Sequence, residues 1–313
     1  MTFACTNHKV HRMASEPTTE SPPFRIGLIG LGLMGHGIGR NLLKNGFALH
    51  VLGNRNRQPV DSLMQLGATD AKQLGALTRE VDVVVLCVTG SPAVESLVYG
   101  NNDGDGGILA NARPGQIVID CSTSDPKSSV GIHRDLLAAG VTFVDAPLGR
   151  TPKEAEAGTL NVMVGATTEV LETIRPVLAA FAENIIHVGD VLSAQKVKLI
   201  NNFVVVGTVA LITEALRTCD QVGVDRKTLH ALMSKGPLNS ALLQMTAEEI
   251  IKGNHDAMKF SIRNAHKDIG YFNSMAEGHP EASSMAGDLI KVLDTAVAQG
   301  LGDSFLPSLV KAA

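Results

Sequence analysis

Two short patterns in this 313-residue chain carry residue types able to do chemistry. The first is Gly30-Leu31-Gly32-Leu33-Met34-Gly35, a G-x-G-x-x-G spacing. It follows the apolar run Phe24 to Ile29, read as a buried parallel strand, and opens a helix predicted from Met34 to Asn45. In that setting Gly30 permits a tight turn. Gly32 lets the backbone approach a pyrophosphate, and Gly35 lets helix and strand pack closely. The helix start offers free N–H groups and a positive dipole end. Gly30, Gly32, Leu33, Met34 and Gly35 are therefore expected to cradle the phosphates of a dinucleotide. The second pattern is Lys198, Asn201 and Asn202. Their i, i+3, i+4 spacing puts them on one face of an otherwise apolar helix. A lysine so placed could move a proton; a solvated polar stripe would show the same spacing.

The end of the second predicted strand, Phe47 to Leu52, bears on which dinucleotide. An NAD site usually places an acid there, to accept from the ribose hydroxyls. This chain has Gly53-Asn54-Arg55-Asn56-Arg57 instead. With no acid to repel it, a 2′-phosphate could meet the forked guanidinium of Arg55, while Asn54 bonds to the ribose. NADP(H) is the expected cofactor, with NAD as the other option; solvated arginines are the plain alternative. Loops after later strands should line the same crevice. Val88, Thr89 and Thr123 are expected beside the nicotinamide half.

Positioning these groups takes an alternating chain. Strands are predicted near 24–29, 47–52, 81–88, 116–121, 141–145, 161–164 and 185–188, with helices starting near Val60, Ser91, Asp125 and Thr168. Residues 25–190 thus read as a doubly wound α/β Rossmann domain. After Gly189 the strand pattern stops. One long interdomain helix runs from Ser193 to Val222 and ends at Gly223; further helices are expected at 225–233, 239–251, 262–276 and 284–299. Residues 191–313 are expected to be an all-α domain for substrate binding and dimerisation. The apolar face of the long helix points to a homodimer or homotetramer, or to burial within one chain. Residues 1–24 are polar, with Pro17, Pro22 and Pro23 near their end, and read as a disordered extension in which Met13 is another candidate start.

Hydrophobic residues make up 44% and charged residues 19% of the chain, and the net charge is −4, a soluble globular composition. No Lys/Arg stripe or aromatic array invites nucleic acid. The longest apolar run, Phe203 to Ile212, is too short to span a bilayer, so no membrane partner is expected. Cys5, Cys87, Cys121 and Cys219 show neither metal-ligand nor redox spacing. They read as inert thiols in a reducing compartment, the cytoplasm. No metal site is expected. His50 and His266 stand alone, and Glu154 and Glu156 are given no chemistry.

Ordered motifs over residues 25–300 resemble the β-hydroxyacid dehydrogenase family, which includes 3-hydroxyisobutyrate dehydrogenases and semialdehyde reductases. They are the Gly30–Gly35 turn with Asn41 and Gly46, Asp120-Cys121-Ser122-Thr123, Asp145-Ala146-Pro147, Gly158-Thr159-Leu160, Lys198 with Asn201-Asn202, and Lys267-Asp268. The resemblance implies Lys198 as catalytic acid/base, Asn201 as a substrate ligand and Lys267 beside the cofactor. It also implies a small anionic aldehyde or hydroxyacid substrate. Where most members carry Ser-Gly-Gly, this chain has Gly149-Arg150-Thr151, similar to the sulfolactaldehyde reductase branch, in which the matching arginine binds the sulfonate. It departs from that branch at Val205, at Asn54-Arg55 and at Ala194. Ser122, Gly149, Arg150, Thr151, Asn201 and Asn202 make up the expected substrate side.

The alternative is a non-catalytic NADP-binding scaffold of the same fold, since one chromatin-associated member of the family has a reduced catalytic repertoire. Imine reductases share the architecture but usually replace the lysine.

Overall fold

A computed structural model describes residues 24–101, 106–277 and 280–312, and the side chains of 280–284 are left aside. The expected extension at 1–24 falls almost wholly outside the described residues. The first half runs β1 (Arg25–Ile29), α1 (Gly35–Lys44), β2 (Ala48–Leu52), α2 (Gln58–Gln65), β3 (Thr69–Asp70), α3 (Leu74–Glu80), β4 (Val83–Leu86) and α4 (Ser91–Tyr99). It continues with α5 (Gly107–Asn111), β5 (Ile117–Asp120), α6 (Pro126–Ala138), β6 (Thr142–Asp145), β7 (Leu148–Gly149), α7 (Pro152–Ala157), β8 (Leu160–Gly165), α8 (Thr168–Ala179) and β9 (Ala182–Gly189).

The strands with near-continuous apolar runs lie in the middle of the sheet, buried on both faces as parallel strands must be. The order β3-β2-β1-β4-β5-β6 is parallel throughout, the Rossmann arrangement. Beyond it β8 pairs antiparallel with β6 and β7, and parallel with β9. The two-residue β3 and the short α3 and α5 escape the sequence pattern, because so few residues show no clear period. Ser91 is the first residue of α4; Gly90 holds the cap position, and the Ser91 hydroxyl accepts from the Asp125 N–H (2.7 Å).

The second half is helical: α9 (Ala194–Val222), α10 (Arg226–Lys235), α11 (Ala241–Leu243), a π-helical turn at Gln244–Glu248, α12 (Glu249–Ile251), α13 (Ile262–Ala276) and α14 (Pro280–Ala298). A 3₁₀ helix, Leu306–Lys311, closes it and has no counterpart in the sequence reading. Gly223 ends α9 in the left-handed conformation (φ 75°). Over its full length α9 is long and apolar enough to cross a membrane, which the ten-residue run judged by itself understated. Its buried stripe, including Leu199, Val206 and Val209, instead packs with Ile262, Ala265 and Ile269 of α13 and Leu289 and Leu293 of α14.

What sets α9 against the sheet is Asp145, at the end of β6. Its buried carboxylate accepts from Leu192 N (2.7 Å) and Gln195 N (2.9 Å), just where the helix begins. Leu192 has φ 76°, unusual for a branched residue, and its hydrogen bond to Asp145 holds it there. No side chain of Ser193 caps the helix, so Asp145 does this from a distant strand. Asp145→Ala should therefore cost about 1–2 kcal/mol, the worth of a helix cap. The check is thermal unfolding: an unchanged midpoint would mean that α9 is registered by packing alone.

Candidate functional site

At the carboxyl edge of the sheet the glycine turn leaves β1 and enters α1. Gly30 has φ 95°, and a Cβ there would lie 2.2 Å from the Cys87 carbonyl oxygen. A Cβ on Gly35 would lie 1.8 Å from the Gly30 carbonyl oxygen. Both glycines are thus spent on close packing. A Cβ on Gly32, by contrast, would meet nothing within 4 Å. The turn is open at Gly32 alone, Leu33 beside it is exposed, and α1 has no side-chain cap and no acid in its first turn. An uncapped helix start beneath an open glycine fits a pyrophosphate.

Beyond β2, Asn54 and Arg55 are exposed, and Arg55 has no ion pair among the described residues. Arg57 is paired with Asp70. The loops after β4 and β5 are joined, since Val88 N donates to Ser122 Oγ (3.0 Å). Beneath them Asp120 accepts from Ser122 N (2.9 Å) and Ser124 Oγ (2.8 Å). Burial pushes its carboxyl above the usual range, against those hydrogen bonds and the Lys267 charge. Gln195, in the first turn of α9, completes the joint. Its Nε2 donates to the Ser122 carbonyl (2.8 Å), and its Oε1 accepts from Ser124 N (3.0 Å).

Onto this joint α13 brings Lys267, Asp268 and Tyr271. Lys267 Nζ donates to the Thr123 carbonyl (3.0 Å) and lies 5.0 Å from the centre of the Tyr271 ring. Tyr271 Oη accepts from Ser91 N (3.2 Å). A Cβ on Gly90 would sit 2.8 Å from that hydroxyl, so only glycine lets the ring approach the loop. Asp268 is buried. Its Oδ2 accepts from Asn202 Nδ2 (2.7 Å), while its Oδ1 lies 2.8 Å from Lys267 Nζ without a directed hydrogen bond.

One turn before Asn202, the half-buried Lys198 has no hydrogen bond or ion pair among the described residues. Burial lowers the pKa of its amine. The Lys267 charge lowers it further, and the Asp268 carboxylate opposes both. Such a lysine gives up its proton more readily than an exposed one.

The sequence-derived residues divide accordingly. Lys198, Lys267 and Thr123 are brought into one neighbourhood by α9, α13 and the β5 loop. Asn201 stays exposed, its Nδ2 3.4 Å from Asn202 Oδ1. Asn202, expected on the substrate side, is buried against Asp268 and braces the helices. The Ser122 hydroxyl is likewise engaged by Val88 N. Thr151 begins α7 in a capping box with Glu154, and Gly149 is paired in β7 with Asn161. Arg150, at φ 75°, is held by Glu183 and by the Thr159 carbonyl (2.5 Å), so its guanidinium does not stand free.

Asp145, Gln195, Asp268 and Tyr271 carry no assigned role in the sequence reading. Lys267-Asp268 stood out as a dipeptide; nothing local marked Gln195. Glu156, given no chemistry, links α7 to α1 through His36 (2.9 Å) and Arg40 (2.7 Å). His266 pairs with Asp294 (2.8 Å). Among the described residues no group of three His, Cys, Asp or Glu could hold a metal. Burial pushes the Cys87 thiol up to about 12, and Cys121 is raised as well.

Comparison with known proteins bears on both halves. The family model for the NAD binding domain of 6-phosphogluconate dehydrogenase matches residues 25–189. The model described as NAD-binding of NADP-dependent 3-hydroxyisobutyrate dehydrogenase matches residues 193–312. Among curated relatives, 2-(hydroxymethyl)glutarate dehydrogenase of Eubacterium barkeri is 28% identical over 92% of this chain and 94% of its own. The 3-sulfolactaldehyde reductase of Escherichia coli is 29% identical over 78% of this chain and 80% of its own. The solved 3-hydroxyisobutyrate dehydrogenase of Mycobacterium tuberculosis shares the fold, with a TM-score of 0.81 at 23% identity over 92% of this chain and 98% of that one.

The charges around Lys198 predict its titration. Asp268 favours the ammonium form and Lys267 disfavours it. Asp268→Asn should therefore lower the pKa of Lys198 further, and Lys267→Met should raise it. Both are readable from the pH dependence of Lys198 acylation followed by mass spectrometry, with a free lysine peptide as the reference. A Lys198 that titrates with that peptide would show its amine to be fully solvated.

Proposed function

This chain belongs to the 3-hydroxyisobutyrate dehydrogenase-like β-hydroxyacid dehydrogenases, NAD(P)-dependent enzymes acting on CH–OH groups, and on that premise we propose that it interconverts a small anionic hydroxyacid and its aldehyde using NADP(H). The observation that carries this reading is Lys198: a half-buried amine with no hydrogen-bond or ion-pair partner among the described residues, near the joint where α13 meets the β4 and β5 loops. The dinucleotide, when bound, supplies or accepts the hydride. In the reductive direction the Lys198 ammonium faces the charge growing on the carbonyl oxygen and donates its proton there. In the oxidative direction the neutral amine takes the hydroxyl proton. A lowered pKa makes the neutral form accessible. The oxidative rate should thus rise with pH through the Lys198 pKa, and the reductive rate should fall through it.

Asn201, exposed one turn beyond Lys198, is the proposed amide that orients the substrate. Two of the relatives are named for anionic compounds, a substituted glutarate and a sulfolactaldehyde. Arg150 is the proposed ligand for such a group. Its contact with Glu183 is partly exposed, and ion pairs of that kind are worth about 0–1 kcal/mol. A substrate anion can replace the glutamate at little cost. The missing acid after β2 and the free Arg55 favour NADP(H) over NAD(H). The enzyme is proposed to be soluble, to work in the cytoplasm, and to associate through the apolar residues that α9 and α10 leave exposed, among them Val204, Leu211 and Leu232.

Lys198→Ala should cut turnover about 10²–10⁴-fold, the usual worth of an acid/base group, and leave dinucleotide affinity within about twofold. Steady-state kinetics on a panel of carboxylated and sulfonated aldehydes, with NADPH and NADH, reads the substrate class and cofactor preference together. Intact dinucleotide binding without turnover on any of them would leave the non-catalytic scaffold standing. Leu211→Glu should yield monomers by light scattering; an unchanged mass would move the interface elsewhere.

A further inference from the structure

Arg57 and Lys72 were no part of the expected cofactor site. They converge from different loops on one buried carboxylate. Asp70 ends β3, and its side chain is only 2% exposed. Arg57 reaches it from the loop after β2. Lys72, two residues beyond β3, reaches the same Oδ2 atom through Nζ (2.5 Å). Asp70 lies opposite Val51 of β2, and Ala71 N donates to the Val51 carbonyl (3.0 Å), so both loops leave the sheet side by side. This is the carboxyl edge where a dinucleotide lies.

We propose that Asp70 is a positioning residue for a second tier of cations, Arg57 and Lys72, which reads the 2′-phosphate of the dinucleotide together with Arg55. The inference rests on the reading of this chain as an NADP(H) enzyme.

The carboxylate is covered while the two cations look outward: the Arg57 side chain is 41% and the Lys72 side chain 72% exposed. In an NAD site the acid stands at the end of β2 and accepts from the ribose. Here the acid has moved one strand outward and lies beneath two positive groups. It cannot meet the ribose; it holds cations in place instead. One local feature is otherwise idle: Lys72 takes φ 61°, a left-handed conformation unfavourable for its type, and its N–H donates to Asp70 Oδ1 (3.3 Å). Gly53 is closely packed, since a Cβ there would lie 2.3 Å from Val60 Cγ2 and 2.9 Å from Arg57 Nη1. A phosphate monoester brings roughly two negative charges and three acceptor oxygens. A planar fork and a compact ammonium are complementary donors for it.

The test is calorimetric titration of the unliganded protein with 2′,5′-ADP and with 5′-AMP, which differ only in the 2′-phosphate and need no turnover. The wild-type protein should bind 2′,5′-ADP the more tightly. Lys72→Asn, chosen because asparagine tolerates the left-handed conformation, and Arg57→Gln should each reduce that ratio roughly tenfold, as for a lost charge-assisted hydrogen bond. Affinity for 5′-AMP should stay within about twofold. Asp70→Asn separates positioning from bulk charge. It makes the region more positive, yet it should weaken 2′,5′-ADP binding because the cations lose their anchor. Tighter binding by Asp70→Asn, or a ratio unchanged in both Lys72→Asn and Arg57→Gln, overturns the proposal. If those variants keep the preference while Arg55→Ala abolishes it, only this inference falls. If the wild-type protein shows no preference, the NADP(H) reading falls with it.

Discussion

The hydrogen bond from Asn202 to Asp268 ties the long helix α9 to α13, whose Lys267 and Tyr271 reach the β5 and β4 loops. A buried carboxylate is costly unless it is paired, and here it has an amide on one oxygen and an ammonium near the other. That arrangement fixes Lys267 over the β5 loop and sets the Asp268 carboxylate against the other influences on Lys198. Without it, burial and Lys267 would act on the Lys198 amine unopposed. The acid–base character of Lys198 therefore depends first on its burial and then on the two charges that this helix contact places beside it.

A second set of contacts aligns those helices with the loops. Asp145 receives the first N–H groups of α9, and Gln195 of the same turn grips both Ser122 and Ser124. Lys198 follows Gln195 by three residues, nearly one turn, so its height above the sheet is set by those bonds. The buried acids differ in what they do. Asp145 caps a helix and Asp120 gathers the β5 loop, whereas Asp268 acts on neighbouring charges. Burial raises the carboxyl pKa of the first two in spite of their hydrogen bonds. Their worth lies in placing backbone groups, which fits the joining of two lobes that must keep their register.

Along the cofactor edge the same economy of charge recurs. The glycines of the turn are unequal: Gly30 and Gly35 satisfy the packing of the turn itself, and Gly32 alone leaves room. At the far end, the acid that an NAD site would present after β2 is absent, and Asp70, at the end of β3, is covered by Arg57 and Lys72. What the edge offers a ligand is positive at both ends: backbone N–H groups at α1, and guanidinium and ammonium groups beyond β2.

Local spacing was enough to reveal the Rossmann order, the long helix with its Gly223 stop, the glycine turn, and the Lys198 face with its amides. Each is a periodicity or a short motif, and a backbone with fixed rise and pitch turns such patterns directly into structure. The resemblance to a dehydrogenase family added Lys267 and the chemistry. The division of labour among these residues was not legible. Asn202 reads like Asn201, yet one is buried against a carboxylate and the other faces solvent. Arg150 reads as a free cation, yet Glu183 and Thr159 hold it. Thr151 reads as a ligand, yet it begins a helix. Tertiary structure decided these because each depends on a partner far away in the chain: Asn202 and Asp268 are 66 residues apart, and Asp145 and Gln195 are 50 apart. Spacing along a chain determines which side chains share a face; only the packing of faces determines which of them keep their hydrogen-bonding capacity for a ligand.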